Sequence, residues 1–217
     1  MLLTSEAEAR AWLAGLPTVS RGTMEQLDQF AALLREANAQ QNLIAASTAG
    51  EALWVRHIAD SAQLLTLVQD ATGTTPAEGR WVDLGSGPGL PGLIIALLLP
   101  GWTIRLVESR RLRCDFLRHC VAALGLTHVE VIEGRVEQLP SQGHDVISAR
   151  AFAPLDKLLH VSRHLARKNT LWLLPKGRNA VNELSSLAPA WQTLFHVEPS
   201  LTDADARILV GCGIVAR

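Results

Sequence analysis

Cysteine, net charge and a leader segment are what this chain has least of. Its three cysteines, Cys114, Cys120 and Cys212, are odd in number and scattered, and no two form a Cys-x-x-Cys pair. That pattern argues against a zinc site and for a reducing compartment. The formal net charge is −1 over 217 residues, so no global basicity advertises a nucleic-acid partner, and any basic surface has to be local. The start, Met1-Leu2-Leu3-Thr4-Ser5-Glu6, has no basic stretch and no long apolar core, so no signal peptide is expected. There is no internal repeat and no low-complexity run. Leu84 to Ile104 is free of charge over 21 residues, which is long enough to span a bilayer. Its five glycines and three prolines forbid a continuous helix, so a cytoplasmic protein with no membrane partner is expected. Hydrophobic content of 48% is ample for a core. The length suits one compact folding unit and a monomer.

The first 70 residues read as helices. Ser5-x-x-Glu8 is a capping box before Ala9 to Leu16, with Pro17 as the stop. Thr23-x-x-Gln26 opens a second helix that fades around Asn38 to Asn42. Thr48-x-x-Glu51 opens a third, on which Arg56, His57, Asp60 and Ser61 share a polar face; that face reads equally well as a satisfied helix surface or as an edge turned to a ligand cleft. Residues 71–79 form a linker by composition. Beyond it strands and helices alternate. Strands are predicted at 81–84, 102–107, 128–132, 144–149, 170–175, 191–197 and 206–215. Helices are predicted near 91–99, 110–124, 154–167 and 179–187, with a short turn near 134–138. This pattern predicts an α/β fold with a mostly parallel seven-stranded sheet covered on both faces and an antiparallel edge strand from the closing hairpin. Residues 1–70 are then a helical extension packed on a core domain at 71–217.

The sequence turns on Asp83-Leu84-Gly85-Ser86-Gly87-Pro88-Gly89-Leu90-Pro91-Gly92, a glycine cluster between an apolar strand and an apolar helix. Such a loop lets the backbone approach a ligand closely. Gly87-x-Gly89-x-x-Gly92 fits the dinucleotide fingerprint. Asp83-x-Gly85-x-Gly87-x-Gly89 fits the cofactor loop of S-adenosylmethionine-dependent methyltransferases. Asp83, aimed into the cleft, would repel a pyrophosphate, and Pro88 and Pro91 remove N–H groups that a pyrophosphate would use. Both features favour S-adenosylmethionine, which has no phosphate.

In a doubly wound sheet the ligand sits beyond the carboxyl ends of the strands. Glu108 ends the second predicted strand, where a carboxylate could accept both ribose hydroxyls of the cofactor. Val136 and Glu137 follow the third and would lie by the adenine. Arg150 follows the fourth and would be a cation at the cleft mouth. Lys176 follows the fifth and faces the rim. Arg150 and Lys176 are the candidates for positioning a substrate, with no metal. An arginine can bond the O6/N7 edge of guanine, and attack by a ring nitrogen lone pair needs no general base. Ser148-Ala149-Arg150-Ala151-Phe152 stands where DNA amine methyltransferases carry Asn-Pro-Pro-aromatic, which argues against amine methylation. Arg110, Arg111, Arg113 and Arg118, with Lys157, Arg163, Arg167 and Lys168, make local basic clusters suited to RNA phosphates or to a plain solvated face. A small-molecule or protein methyltransferase and a cofactor-free RNA-binding module remain alternatives.

Taken in order, Asn42-Leu43-Ile44, Arg56-His57-x-x-Asp60-Ser61, the glycine loop, Glu108-Ser109, Arg135-Val136-Glu137, Ser148 to Phe152 and Lys176-Gly177 resemble the bacterial small-subunit ribosomal RNA guanine-N7 methyltransferases, historically called glucose-inhibited division protein B. The resemblance covers about residues 25 to 215. It implies a Rossmann-like class I methyltransferase domain with an N-terminal helical extension. It implies S-adenosyl-L-methionine as donor, and N7 of a guanine in small-subunit (16S) ribosomal RNA, free or within the small ribosomal subunit, as acceptor. Cofactor contacts carried over from the family fall on Gly85, Leu90, Val136, Glu137 and Arg150. They join Asp83, Gly87, Gly89 and Glu108 from the residue reading. One departure is that the family's two adjacent basic residues after the acid are replaced by Leu112-Arg113, preceded by Arg110 and Arg111.

Overall fold

The computed structural model describes residues 1–214. Two helices open the chain, α1 (Glu6–Ala14) and α2 (Arg21–Gln41). Ser5 and Glu8 cap α1 reciprocally, as the capping-box spacing predicts. For α2 the cap is Ser20 rather than Thr23; Thr23 becomes the third helical residue and its hydroxyl turns back to the Ser20 N–H. Asn42 ends α2 in the left-handed region at φ 48, which asparagine tolerates. The third predicted cap does not form. Thr48 lies instead in a short 3₁₀ turn, Ala46–Thr48. The helix begins at Trp54 as a π-helical turn, Trp54–Ala59, that runs straight into α3 (Asp60–Thr72). The wide π turn carries Arg56 and His57.

The alternating part follows: β1 (Arg80–Leu84), α4 (Gly92–Leu98), β2 (Thr103–Glu108), α5 (Arg111–Ala123), β3 (Val129–Glu133), β4 (His144–Ser148), α6 (Leu155–Ser162), β5 (Ala166–Lys176), α7 (Ala180–Ser185), α8 (Pro189–Gln192), β6 (Phe195–Pro199) and β7 (Arg207–Cys212). The sheet has seven strands in the order β3-β2-β1-β4-β5-β7-β6. All pairings are parallel except those of β7, which runs antiparallel to both β5 and β6. The antiparallel strand therefore lies inside the sheet and β6 is the edge, contrary to the expected antiparallel edge. Residues 191–192, expected to begin a strand, belong to α8, where Pro189 suits a first helical turn. The predicted last strand extends to 215, which lies outside the described residues.

Alternation along the strands divides the core into two faces. Trp81, Ile104, Leu106, Val146, Leu171 and Leu173 point to the side covered by α1–α5. Val82, Leu84, Val107, Ile147, Trp172 and Leu174 point to the side covered by α6 and α7. Period-2 side-chain direction makes both faces apolar in a sheet buried on both sides. Leu27, Phe30, Leu34, Trp54, Ile58 and Leu65 of the first 70 residues are fully buried in the first of these clusters, so the N-terminal helices share one core with the sheet.

The strand order reverses at β1, flanked by β2 on one side and β4 on the other, and the glycine loop leaves β1 at that point. The loop packs tightly: a Cβ on Gly92 would stand 2.2 Å from Leu106 Cδ2 and 2.9 Å from Asp83 Oδ2. Leu106 is fully buried and has little room to yield. Gly92→Ala is expected to lower the unfolding free energy by roughly 1–3 kcal/mol. Gly134→Ala, with nothing within 4 Å, should stay within about 0.5 kcal/mol of wild type. Urea unfolding of the two variants tests this.

Candidate functional site

Two carboxylates shape the glycine loop. Asp83, at the end of β1, is fully buried. Its Oδ2 accepts the Gly92 N–H at 3.1 Å and its Oδ1 accepts the Ser148 hydroxyl at 2.7 Å. Ser148 in turn accepts the Trp81 indole N–H at 2.8 Å. The expectation that Asp83 faces the cleft does not hold, because both oxygens are turned inward to brace the loop and β4. Burial pushes its carboxyl up to about 6, against the lowering effect of the bonds from Ser148, Ser86 and Gly92. Glu108, at the end of β2, accepts the Gly87 N–H on Oε2 at 3.0 Å and the Ser109 and Arg110 N–H groups on Oε1 at 2.8 and 2.9 Å. Three of about four acceptor sites on this carboxylate are thereby taken, and Arg113 Nη1 stands 3.6 Å from Oε2 as its ion-pair partner, so it has room for at most one further donor rather than the two ribose hydroxyls expected of it.

Every backbone N–H of the loop is spent. Gly85 and Ser86 donate to Val107 O, Gly89 and Leu90 to Ser86 O, Gly87 to Glu108 and Gly92 to Asp83, while Pro88 and Pro91 have none. A loop that binds pyrophosphate does so through free N–H groups. This one has none to offer, so the dinucleotide reading fails on hydrogen-bond accounting.

Two cavities flank the segment that follows β4, and the smaller one reaches the loop at Gly85. The one of about 320 Å³ is lined by Gly85, Val107, Glu108, Val136, Glu137 and Phe152 among others. Its mixed lining fits an adenosine: Val107, Val136 and Phe152 offer apolar faces for a flat base, and the Glu108 and Glu137 carboxylates offer acceptors for hydroxyl and amino groups. Arg110, Arg135 and Lys157 stand on its rim and have no ion pair among the described residues. The second, about 690 Å³, lies beyond the ends of β4 and β5 and is lined by Arg56, His57, Asp60, Arg150, Lys176, Glu183 and Asp203 with their neighbours. Ala151, Phe152 and Ala153 line both. Phe152 packs so closely on the loop that a Cβ on Gly85 would stand 2.4 Å from its ring. Ala151 holds φ 51, a left-handed conformation that costs a non-glycine residue about 1 kcal/mol or more.

The expected site residues thus divide. Gly85, Glu108, Val136 and Glu137 line the smaller cavity, and Arg150 and Lys176 the larger. Asp83, Gly87, Gly89 and Leu90 line neither; Leu90 is buried in the core. They act on the loop's shape. Arg150 Nη1 points at Arg56 O (3.3 Å), His57 Nδ1 (3.4 Å) and Asp60 Oδ2 (3.3 Å). Lys176 Nζ donates to Glu183 Oε2 at 2.8 Å and Ala153 O at 3.3 Å. Arg56 pairs with Asp203. Sequence reasoning missed Glu183 and Asp203 as partners of these cations, because only the folded chain brings α7 and the β6–β7 turn to the cleft. Ser61 does not reach the cleft: it is buried and donates to His57 O at 2.6 Å. Of the basic clusters, Arg118 is tied to Asp115 and Glu133, and Arg167 to Asp145.

Comparison with known proteins decides the family. The profile of GidB, rRNA small subunit methyltransferase G, matches residues 23–207. This chain belongs to the rRNA small subunit methyltransferase G family. A protein named ribosomal RNA small subunit methyltransferase G from Sphingopyxis alaskensis is 54% identical over 215 residues, covering 99% of this chain and 89% of its own. Its namesake from Erythrobacter litoralis is 46% identical, covering 98% of each chain. Among solved structures, a mutant of MtNAS in complex with S-adenosylmethionine aligns with TM-score 0.57 at 18% identity, over 96% of each chain. A SAM-dependent methyltransferase from Aquifex aeolicus aligns with TM-score 0.52 at 14% identity, over 72% of this chain and 90% of that one. Both share the fold, which is that of class I S-adenosylmethionine-dependent methyltransferases.

The buried Asp83 sets a pH dependence. Its folded-state value of about 6 lies above the ordinary 3.8, so the folded state holds this proton more tightly than the unfolded chain does. The stabilisation is complete below about pH 4 and is lost as pH rises through 6; two pH units of separation correspond to about 3 kcal/mol. Asp83→Asn should remove that term, so the stability difference between wild type and variant should change across pH 4 to 6 and be flat above 7. Urea unfolding across that range measures it.

Proposed function

We propose that the chain transfers a methyl group from S-adenosyl-L-methionine to N7 of a guanine in small-subunit (16S) ribosomal RNA. Family membership supports the activity. The observation that carries the cofactor assignment is the spent glycine loop, with every N–H bonded within the protein, beside a small cavity that joins valine and phenylalanine faces to the Glu108 and Glu137 carboxylates. S-adenosylmethionine supplies an electrophilic methyl group on a sulfonium. In the proposed in-line step the S–CH₃ bond breaks as the N7–CH₃ bond forms. The sulfur leaves neutral and the ring takes up the positive charge. No proton has to move, so the protein's task is to hold two partners in line.

In this reading the adenosine lies against Val136, with Gly85 and Glu108 near the ribose, and Glu137 at the outer edge. Asp83, Gly87, Gly89 and Leu90 keep the loop in shape. The larger cavity receives the guanine, with Arg150 and Lys176 as the cations that position it. Arg110, Arg135 and Lys157 are suited to RNA phosphates, since the cofactor has none for them. The proposal includes a monomer working in the cytoplasm on ribosomal RNA or the small subunit, without a metal or a membrane partner. Among the described residues no helix is long and apolar enough to cross a membrane. It also includes a helical extension at residues 1–70 packed on a methyltransferase domain at 71–217, which the shared apolar core supports.

Purified protein incubated with labelled S-adenosylmethionine and small subunits, or naked 16S RNA, from cells lacking the modification should incorporate label as 7-methylguanosine. Arg150→Ala should lower kcat/KM by roughly 10²-fold with little change in unfolding midpoint. Absence of label in both RNA forms contradicts the activity; equal loss of folding and activity in the variant makes Arg150 a structural arginine.

A further inference from the structure

We propose that His57 is a positioning residue that aims Arg150, and that Thr48 fixes the imidazole tautomer in which it can do so. This rests on the reading of Arg150 as a group that positions substrate, and it gives the polar face of the π turn a specific job.

Hydrogen-bond direction carries the inference. Arg150 has only donors, so the His57 Nδ1 that faces both Nη1 and Nη2 at 3.4 Å has to be an unprotonated acceptor. A neutral imidazole with a bare Nδ1 carries its proton on Nε2. Nε2 lies 2.8 Å from Thr48 Oγ1. Thr48 Oγ1 is 2.9 Å from Ala45 O, a carbonyl that can only accept, so the hydroxyl proton is committed there and Oγ1 is left to accept from Nε2. The sense of the whole chain, Arg150 to His57 to Thr48 to Ala45, is fixed at both ends. The imidazole stays neutral: burial, then Arg150 and Arg56, hold it down at about 3.

The effect on Arg150 is to leave part of its fork free. Nη1 is directed at Arg56 O, His57 and Asp60, and Nη2 at His57 alone. Nε–H and a second Nη2–H have no acceptor among the described residues, and the side chain lines the larger cavity. A neutral acceptor at His57 orients the guanidinium without cancelling its charge, which a second carboxylate beside Asp60 would do. Asp60 is itself held by Thr202 Oγ1 at 2.7 Å and Gln63 Nε2 at 2.9 Å. His57 is not placed to move a proton, since both its nitrogens are committed to the protein and the proposed transfer releases none.

Thr48→Val keeps the shape of the threonine and removes its acceptor, whereas Thr48→Ser keeps the acceptor. Long-range ¹H–¹⁵N spectra of the full-length protein at neutral pH, with the His57 signals assigned by their loss in His57→Asn, should show the Nε2–H tautomer in wild type and Thr48→Ser. The spectrum should move toward Nδ1–H in Thr48→Val. In methylation of small subunits, Thr48→Ser should match wild type within about two-fold, and Thr48→Val should lose roughly ten-fold or more in kcat/KM. The loss should vanish in an Arg150→Ala background. Should Thr48→Val fold poorly, His57→Asn decides: its amide oxygen can replace Nδ1 as acceptor, so it should outperform His57→Ala. An Nδ1–H tautomer in wild type, equal activity of the two Thr48 variants, losses that add to that of Arg150→Ala, or equal activity of the two His57 variants would overturn the proposal. If wild type labels no RNA, the functional reading fails separately, and the spectra still judge the tautomer.

Discussion

Two carboxylates buried at adjacent strand ends hold the glycine loop, and the rest of the site depends on that bracing. Asp83 accepts from Gly92 at the loop's far end, and Glu108 accepts from Gly87 in its middle. A carboxylate receiving backbone N–H bonds in a dry environment makes stronger bonds than neutral partners would. The cost of burying charge is visible in Asp83, whose carboxyl is pushed up to about 6. Because these bonds, with those to Val107 and Ser86, use up the loop's donors, the loop cannot cradle phosphate. A loop that looks like a dinucleotide fingerprint by its letters is therefore closed to one by its hydrogen bonds. What it leaves is a small pocket in which Val136 and Phe152 stand with the Glu108 and Glu137 carboxylates.

The second organising feature is the wall between the two cavities. Arg150, Ala151 and Phe152 follow β4 after the single residue Ala149. Ser148, four residues before Phe152, is bonded to Asp83, so the brace that shapes the cofactor loop also anchors the wall. Ala151 adopts a left-handed φ of 51, and the turn sends Arg150 toward the larger cavity while Phe152 covers Gly85. On the far side Arg150 meets Arg56, His57 and Asp60. The N-terminal helices therefore do more than cover one face of the sheet. Their π turn and the first residue of α3 supply the acceptors around the cation at the junction of the two cavities.

Much of this was legible in the sequence because local rules and global fold agree. The β/α alternation places β1 to β4 within two residues of their bounds, and the carboxyl ends of β1, β2 and β4 point to Asp83, Glu108 and Arg150. Side-chain direction was not legible. Asp83 and Glu108 have the same chemistry near neighbouring strand ends, yet one is turned wholly inward and the other lines a pocket; in the folded register Asp83 is opposite Leu106, two residues deeper in the sheet than Glu108. The Thr48 capping box failed because a tertiary bond to His57 took over its hydroxyl. The antiparallel strand was placed at the edge because hairpin order says nothing of which strand inserts next to β5. Glu183 and Asp203 were invisible as site residues, since nothing in local spacing ties α7 or the β6–β7 turn to the cleft.

The most direct measurement of the central claim is calorimetric titration of S-adenosylhomocysteine into the full-length protein, its Gly87→Asp variant and its Glu108→Ala variant. Gly87 has room for a Cβ, but it holds φ 55 and an aspartate there would bring a second carboxylate beside Glu108. Wild type should bind one molecule, and both variants should lose the binding while remaining folded. Absence of binding by wild type, or binding by both variants at wild-type strength, would contradict the account.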